Sequence, residues 1–225
     1  MGISRRTAIL ATAAGLAAPR IASAQRAKVL RFVPQADLAV LGPIWTTATV
    51  TLTHGHMIFD TLYGTDADYN VQPQMAAGHV VEDDGKRWTI TLRDGLRFHD
   101  GEPVRGRDVV ASLRRWAARD MFGAELLAVT DELSAPDDRT IVFRLKSPFP
   151  LLPRALGKTT SALPCIMPER LAQTDPGKQV TEMIGSGPYR FLADERLAGA
   201  RAAYARFEGY VPREGTPSRT AGAKI

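Results

Sequence analysis

Apolar positions along the chain follow two different periods. From Arg87 to Leu92, the residues Trp88, Ile90 and Leu92 interleave with Arg87, Thr89 and Thr91. That two-residue repeat predicts a strand with one buried face. Gly78–Glu82 precedes it across Asp83-Asp84-Gly85-Lys86, so a hairpin is expected. Ile141, Phe143 and Leu145 repeat the pattern within 140–145. Ala135-Pro136-Asp137-Asp138-Arg139 joins that strand to another over Thr130–Ser134. Between the two hairpins the period lengthens. Val109, Val110, Leu113, Trp116 and Ala117 fall at i, i+1, i+4, i+7 and i+8, which predicts a helix from about Arg107 to Arg119. Arg114, Arg115 and Arg119 lie mainly off its apolar stripe and read as a solvated face.

The remaining segments are shorter. Lys28–Val33 reads as a short buried strand ended by Pro34-Gln35-Ala36-Asp37. Thr46–Leu62 is rich in β-branched residues, yet the spacing of Val50, Met57, Ile58 and Leu62 favours a helix. Turns are expected at Arg93-Asp94-Gly95 and His99-Asp100-Gly101. Ser147-Pro148-Phe149-Pro150 breaks the sheet ahead of a short helix near Leu151–Leu156, and Pro168 could open another, with Glu169 at its positive end. Gly185-Ser186-Gly187-Pro188 reads as a tight, exposed turn before a strand over Pro188–Ala193. Ala200–Phe207 is helical by alanine content alone, and Val211–Thr220 is loop-like.

The start of the chain changes the reading of its charge. Arg5-Arg6, an apolar run from Ala8 to Ala18, and Ala22-Ser23-Ala24 make residues 1–24 a twin-arginine (Tat) type leader cleaved after Ala24. A Sec leader carrying two arginines by chance is the alternative. Removing Arg5, Arg6 and Arg20 leaves 26 basic residues against 24 acidic ones, so the net charge falls from +5 to +2. No dense basic block remains, which argues against a nucleic-acid partner. Nothing after the leader is long and apolar enough to span a bilayer. Cys165 is the single cysteine, so no intramolecular disulfide is possible, and its apolar neighbours make it a buried small residue.

Two stretches carry a resemblance. Leu92-Arg93-Asp94-Gly95-Leu96-Arg97-Phe98-His99-Asp100-Gly101-Glu102-Pro103-Val104, running into Arg107-Asp108-Val109-Val110-Ala111-Ser112-Leu113, resembles a signature and its following helix. Gly185-Ser186-Gly187-Pro188-Tyr189-Arg190-Phe191 resembles a second landmark. Both are similar to those of extracellular solute-binding protein family 5 of ABC transporters, which includes dipeptide-, oligopeptide- and nickel-binding proteins. The resemblance implies an α/β (α+β mixed) fold of the periplasmic binding protein-like type II, a two-lobed clamp with a hinge. Residues 25–60 would open lobe I, 61–180 would be an inserted β-rich subdomain, and 181–225 would be the return segment. The second lobe would follow Ile225, so the chain is expected to be a truncated form. It also implies that Ala200–Phe207 is a strand, against its propensity. Two positions depart from the pattern. Arg105-Gly106 stands where a capping threonine is common, and Leu41-Gly42-Pro43 has glycine where an Asp-Pro turn is common.

What this implies for function is a periplasmic solute-binding component of an ABC importer, without catalysis or cofactor. It would bind a peptide-like solute, hand it to a membrane permease and act as a monomer. Solute contacts are expected from Gln35, Ala36 and Asp37 and from His54 and His56, with weak or no binding by this half alone. His54 and His56 sit two apart and do not share a helix face, and zinc needs three or four ligands, so no metal site is expected. The alternatives are a secreted hydrolase-like enzyme, which would need a nucleophile–base pair in one cleft, and a non-functional fragment. His99-Asp100 instead reads as a structural turn whose carboxylate accepts backbone N–H groups.

Overall fold

A computed structural model describes residues 29–160, 162–214 and 220. The leader, its cleavage site and Lys28 lie outside the described residues. The chain divides into two compact units at Val33/Pro34. Of the first, residues 29–33 form no strand, and Val29, Leu30, Phe32 and Val33 are exposed. The buried strand expected there is therefore not formed: a continuous apolar run becomes a strand only when ladder partners cover it, and among the described residues none pairs with it.

The second unit is built around an antiparallel sheet of four strands, β3 (Ala76–Glu82), β4 (Arg87–Leu92), β5 (Thr130–Ser134) and β6 (Thr140–Leu145), in the order β3-β4-β6-β5. Before it comes a small ribbon, β1 (Tyr63–Thr65) with β2 (Val71–Pro73). The two-residue pattern sets the register. Trp88 lies opposite Phe143 and Ile90 opposite Ile141, so both strands turn their apolar residues into one core. Asp83 and Asp84, with φ of 53° and 51°, lead into Gly85 at 86° and close the β3–β4 hairpin.

Helix α2 (Gly106–Ala117) covers that sheet with Val109, Leu113 and Trp116, all buried; α1 (Thr49–Ile58) precedes the sheet in the chain. Arg105 occupies the N-cap of α2, and a guanidinium has no acceptor to offer. Asp108 supplies the other half of the capping interaction. Its Oδ2 accepts from Arg105 N–H at 2.8 Å, while Oδ1 accepts from Glu169 N–H at 2.8 Å. One carboxylate thus serves the first turns of both α2 and α5 (Glu169–Ala172). Gly106 has a separate reason to be small: a Cβ there would meet Asp137 O at 2.8 Å.

Several expectations are corrected. The first helix is α1, and Phe59 is already extended; Thr46 to Ala48 and Phe59 to Leu62 are not helical. Arg115 is buried, 3 % exposed, and donates to the carbonyls of Thr174, Asp175 and Lys178. Helix α3 (Met121–Ala128), capped by Asp120 accepting from Gly123 N–H, has no counterpart among the elements read from the sequence. The short helix α4 covers Leu152–Leu156, and Pro168 caps α5 rather than opening it. The turn at 185–187 is buried, not exposed. The return segment forms the antiparallel pair β7 (Tyr189–Phe191) and β8 (Tyr204–Arg206). Ala200–Phe207 therefore contains a strand, as the resemblance implied and alanine content did not.

Two hydrophobic clusters result. The larger lies under the four-stranded sheet. The smaller gathers Leu52, Ile58 and Phe59 with Leu163, Met167 and Leu171. Helix α1 packs on β7, so residues from the start and end of this unit meet as helix against ribbon. Among the described residues no helix is long and apolar enough to cross a membrane.

Candidate functional site

The loop Gln35-Ala36-Asp37 is exposed. It is held at one end, where Asp37 Oδ1 accepts from Gly199 N–H at 3.2 Å and Leu38 O accepts from Arg196 Nη2 at 2.9 Å. Arg196 also bears electrostatically on His54, so the loop, the hairpin 193–201 and His54 share one neighbourhood. His54 itself is 1 % exposed. Its Nδ1 pairs with Tyr204 Oη at 2.7 Å and its ring meets Phe191 and Tyr204 edge-on. Burial, reinforced by the Arg196 charge, pushes its pKa down to about 4, so it is neutral at pH 7. His54 holds the β7–β8 ribbon onto α1 and does not face solvent.

His56 leaves α1 in another direction, toward the backbone of Thr159, and burial lowers its pKa. The spacing argument against a shared histidine face therefore holds. Among the described residues no group of three or more His, Cys, Asp or Glu side chains is placed to hold a metal ion.

Near His56 stands a cluster that the sequence did not reveal. The Arg119 guanidinium lies 4.1 Å above the Trp45 ring. Lys158 Nζ pairs with Asp120 Oδ2 at 2.5 Å, one residue from Arg119 on one side and from Thr159 on the other. Met121 beside them is 88 % exposed. Among the described residues Trp45 Nε1 and His56 Nε2 are buried without a hydrogen-bond partner, a condition that native structures rarely leave without a reason. Aromatic, cationic and unsatisfied polar groups thus gather around Trp45 and Asp120. Arg119 reads as one more surface arginine until Trp45, 74 positions earlier, is placed under it.

The signature histidine has a different task. His99 Nε2–H donates to Gly187 O at 3.0 Å, while Nδ1 accepts from Gly185 N–H at 3.4 Å. Its backbone N–H donates to Gly185 O, and its ring packs on Phe207. Both ring nitrogens are therefore used on the turn 185–187, which fixes the neutral tautomer. Asp100 Oδ1 accepts from Glu102 N–H at 3.2 Å, the turn role expected of it. Cys165 is buried and unpaired, and burial beside Asp60 pushes its thiol pKa far up, so it is not a nucleophile. We expect His99→Phe, which keeps the ring contact and loses both bonds, to cost about 2 kcal/mol in urea denaturation. Unchanged stability would show that the clasp is incidental.

Comparison with known proteins fits this architecture. Residues 70–221 match the family described as "Bacterial extracellular solute-binding proteins, family 5 Middle". The whole chain is 42 % identical to 43 % of the "Probable peptide ABC transporter periplasmic-binding protein y4tO" of Sinorhizobium fredii. Among solved structures, the binding protein AgaA of A. tumefaciens R10, in complex with agropinic acid, superposes with a TM-score of 0.64 at 27 % identity, over 76 % of this chain and 34 % of that one. The murein tripeptide binding protein MppA of Escherichia coli gives 0.65 at 20 % identity, over 77 % and 37 %, a likeness of fold. The chain thus spans less than half the length of these relatives, which are named as binding proteins. On the family match, the whole-chain identity and the shared fold, the chain belongs to the bacterial extracellular solute-binding proteins of family 5.

Proposed function

We propose that the chain is the first-lobe part of a periplasmic ABC-importer component that binds peptide-like solutes, with the opposing lobe lying beyond Ile225. The observation that carries this reading is the 42 % identity, across the whole chain, to a protein named for peptide import. The chain would leave the cytoplasm by its twin-arginine leader, lose it after Ala24, and act as a monomer that delivers solute to a membrane permease. Residues 61–180 serve as the inserted subdomain, and 25–60 and 181–225 as the lobe around it.

The solute would meet two surfaces. One is the exposed loop Gln35 to Asp37, held at its end by Gly199 and Arg196. The other is the Trp45–Arg119–Lys158 cluster with His56, whose buried unpartnered Trp45 Nε1 and His56 Nε2 could be satisfied by a polar solute or its waters. Closure in such a clamp is stabilised because the solute touches both jaws at once. A single jaw retains only part of those contacts, so its affinity is weak. A hydrolase reading gains no support, since both nitrogens of His99 are engaged by backbone and the Cys165 thiol is buried.

A thermal-shift screen of the 225-residue chain against di- and tripeptides, opines and sugars at millimolar concentration tests this. Peptides are expected to raise the melting temperature by less than about 2 °C. A rise of several degrees with peptides would overturn the single-jaw part. A rise with sugars or opines, and none with peptides, would overturn the solute class.

A further inference from the structure

The outward face of α2 borders a groove of about 410 Å³ that runs between it, α5 and the β5–β6 turn. None of its lining residues belongs to the Gln35–Asp37 loop or the Trp45 cluster. Its floor is apolar, with Val110, Ala111 and Ala172, while Arg107, Arg114 and Arg115 supply positive charge and Glu169 supplies the opposing carboxylate.

The charges in this groove do not balance. Arg107 Nε faces Glu169 Oε2 at 3.5 Å, which accounts for that pair. Arg114 donates to a carbonyl, Leu133 O, at 2.9 Å. Among the described residues Arg115 donates to carbonyls alone, and its Nε is buried without a partner. Among the described residues neither Arg114 nor Arg115 has a carboxylate within ion-pair distance. A buried guanidinium is normally matched by an acid, because removing its charge from water costs several kcal/mol. Here carbonyl dipoles hold it, Asp175 bears on it from beyond ion-pair distance, and its charge is only partly balanced beside a second cation.

We propose that this groove binds a small oxyanion carrying two or more carboxylate or phosphate groups, at a site separate from the solute cleft. The exposed guanidinium of Arg114 lines the groove, and a planar guanidinium is the group by which arginine recognises oxyanions best. Arg115 contributes field, and Arg107, itself exposed, contributes a cation that can exchange its half-buried glutamate partner for the ligand. The apolar floor accommodates the carbon skeleton of a polycarboxylate, which favours that source over phosphate.

Isothermal titration of the 225-residue chain with citrate and, separately, with pyrophosphate, both at an ionic strength held constant with NaCl, tests the site. Saturable binding is expected with both probes, tighter for citrate. Arg114→Gln should weaken it about tenfold, the loss of one charge-assisted pair. Arg107→Gln should also weaken it. Arg144→Gln, at an exposed position of β6 and paired with Glu132, should leave it unchanged. Arg114 is exposed, so its substitution does not threaten the fold in the way that loss of Arg115 would. Absence of binding above the NaCl control would overturn the proposal. Equal weakening by Arg144→Gln would reduce the effect to net charge and overturn it as well. Tighter binding of pyrophosphate than citrate would overturn the role assigned to the apolar floor.

Discussion

Gly185→Ala is expected to destabilise the protein by about 4 kcal/mol or more, enough to leave little soluble chain. A Cβ at position 185 would stand 2.2 Å from Ile58 O, 2.7 Å from Phe59 Cδ1 and 2.9 Å from Ile58 C. Backbone atoms cannot rotate away as a side-chain tip can. The end of α1 would have to move, and with it the bond from Gly187 N–H to Ile58 O at 2.7 Å and the His99 clasp. Overpacking alone costs about 1–3 kcal/mol, and the broken bonds add to it. The backbone at Gly185 has an ordinary negative φ, so the requirement is close approach and not a left-handed conformation. Gly78→Ala is the matched control. Nothing lies within 4 Å of its added Cβ, so a change within about 1 kcal/mol is expected. Urea denaturation of the two variants decides it: a Gly185→Ala midpoint equal to that of Gly78→Ala would mean that the turn does not bear on α1.

That contrast shows which parts of the structure were legible in the sequence. β4 and β6 were readable because their information is local: a two-residue repeat closed by turn residues specifies both strand and buried face, and β5 followed from the turn that joins it to β6. Helix α2 was readable from its stripe for the same reason. Gly185-Ser186-Gly187 has the composition of an exposed turn, and it is buried because Ile58 and His99, more than 80 positions away, close over it. Arg115 is similar, since its carbonyl partners lie about 60 residues later. Val29 to Val33 failed in the opposite sense: the run was suited to a strand, and local suitability does not supply a ladder. Helix α3 was missed because Met121 is exposed and only Gly123 and Leu126 of its eight residues are buried, too few to set a period. At the site, the exposed loop Gln35 to Asp37 was readable from its turn residues. The burial of His54 depends on Tyr204, 150 positions away, and no local pattern announces it.

Two buried groups of opposite sense shape the response to acid. Asp60 is buried and pushed up to about 6, despite hydrogen bonds from Thr61 N–H and Gln74 and the nearby Arg93 charge, with Tyr210 also facing it. A carboxyl whose folded pKa exceeds its unfolded value contributes stability that is present below the unfolded pKa, near 3.8, and lost as pH rises through about 6. His54 has its folded pKa lowered from 6.5 to about 4. Its contribution is therefore present above 6.5 and lost as pH falls through 4. Between pH 6.5 and 4.5 each is worth about 2 kcal/mol, at 1.36 kcal/mol per unit, and the two oppose. His56 and His99 are lowered too and add to the loss on acidification, whereas Asp108 is raised and offsets part of it. Removing one partner should expose the other. Asp60→Asn is expected to fall in stability by about 2 kcal/mol more than the wild type across that interval. His54→Phe, which keeps an aromatic ring against Phe191 and Tyr204, should fall by about 2 kcal/mol less, or rise. Urea denaturation of the three proteins at both pH values measures the slopes. Parallel slopes would mean that neither group is held in the state its burial dictates, and slopes reversed between the variants would contradict both signs.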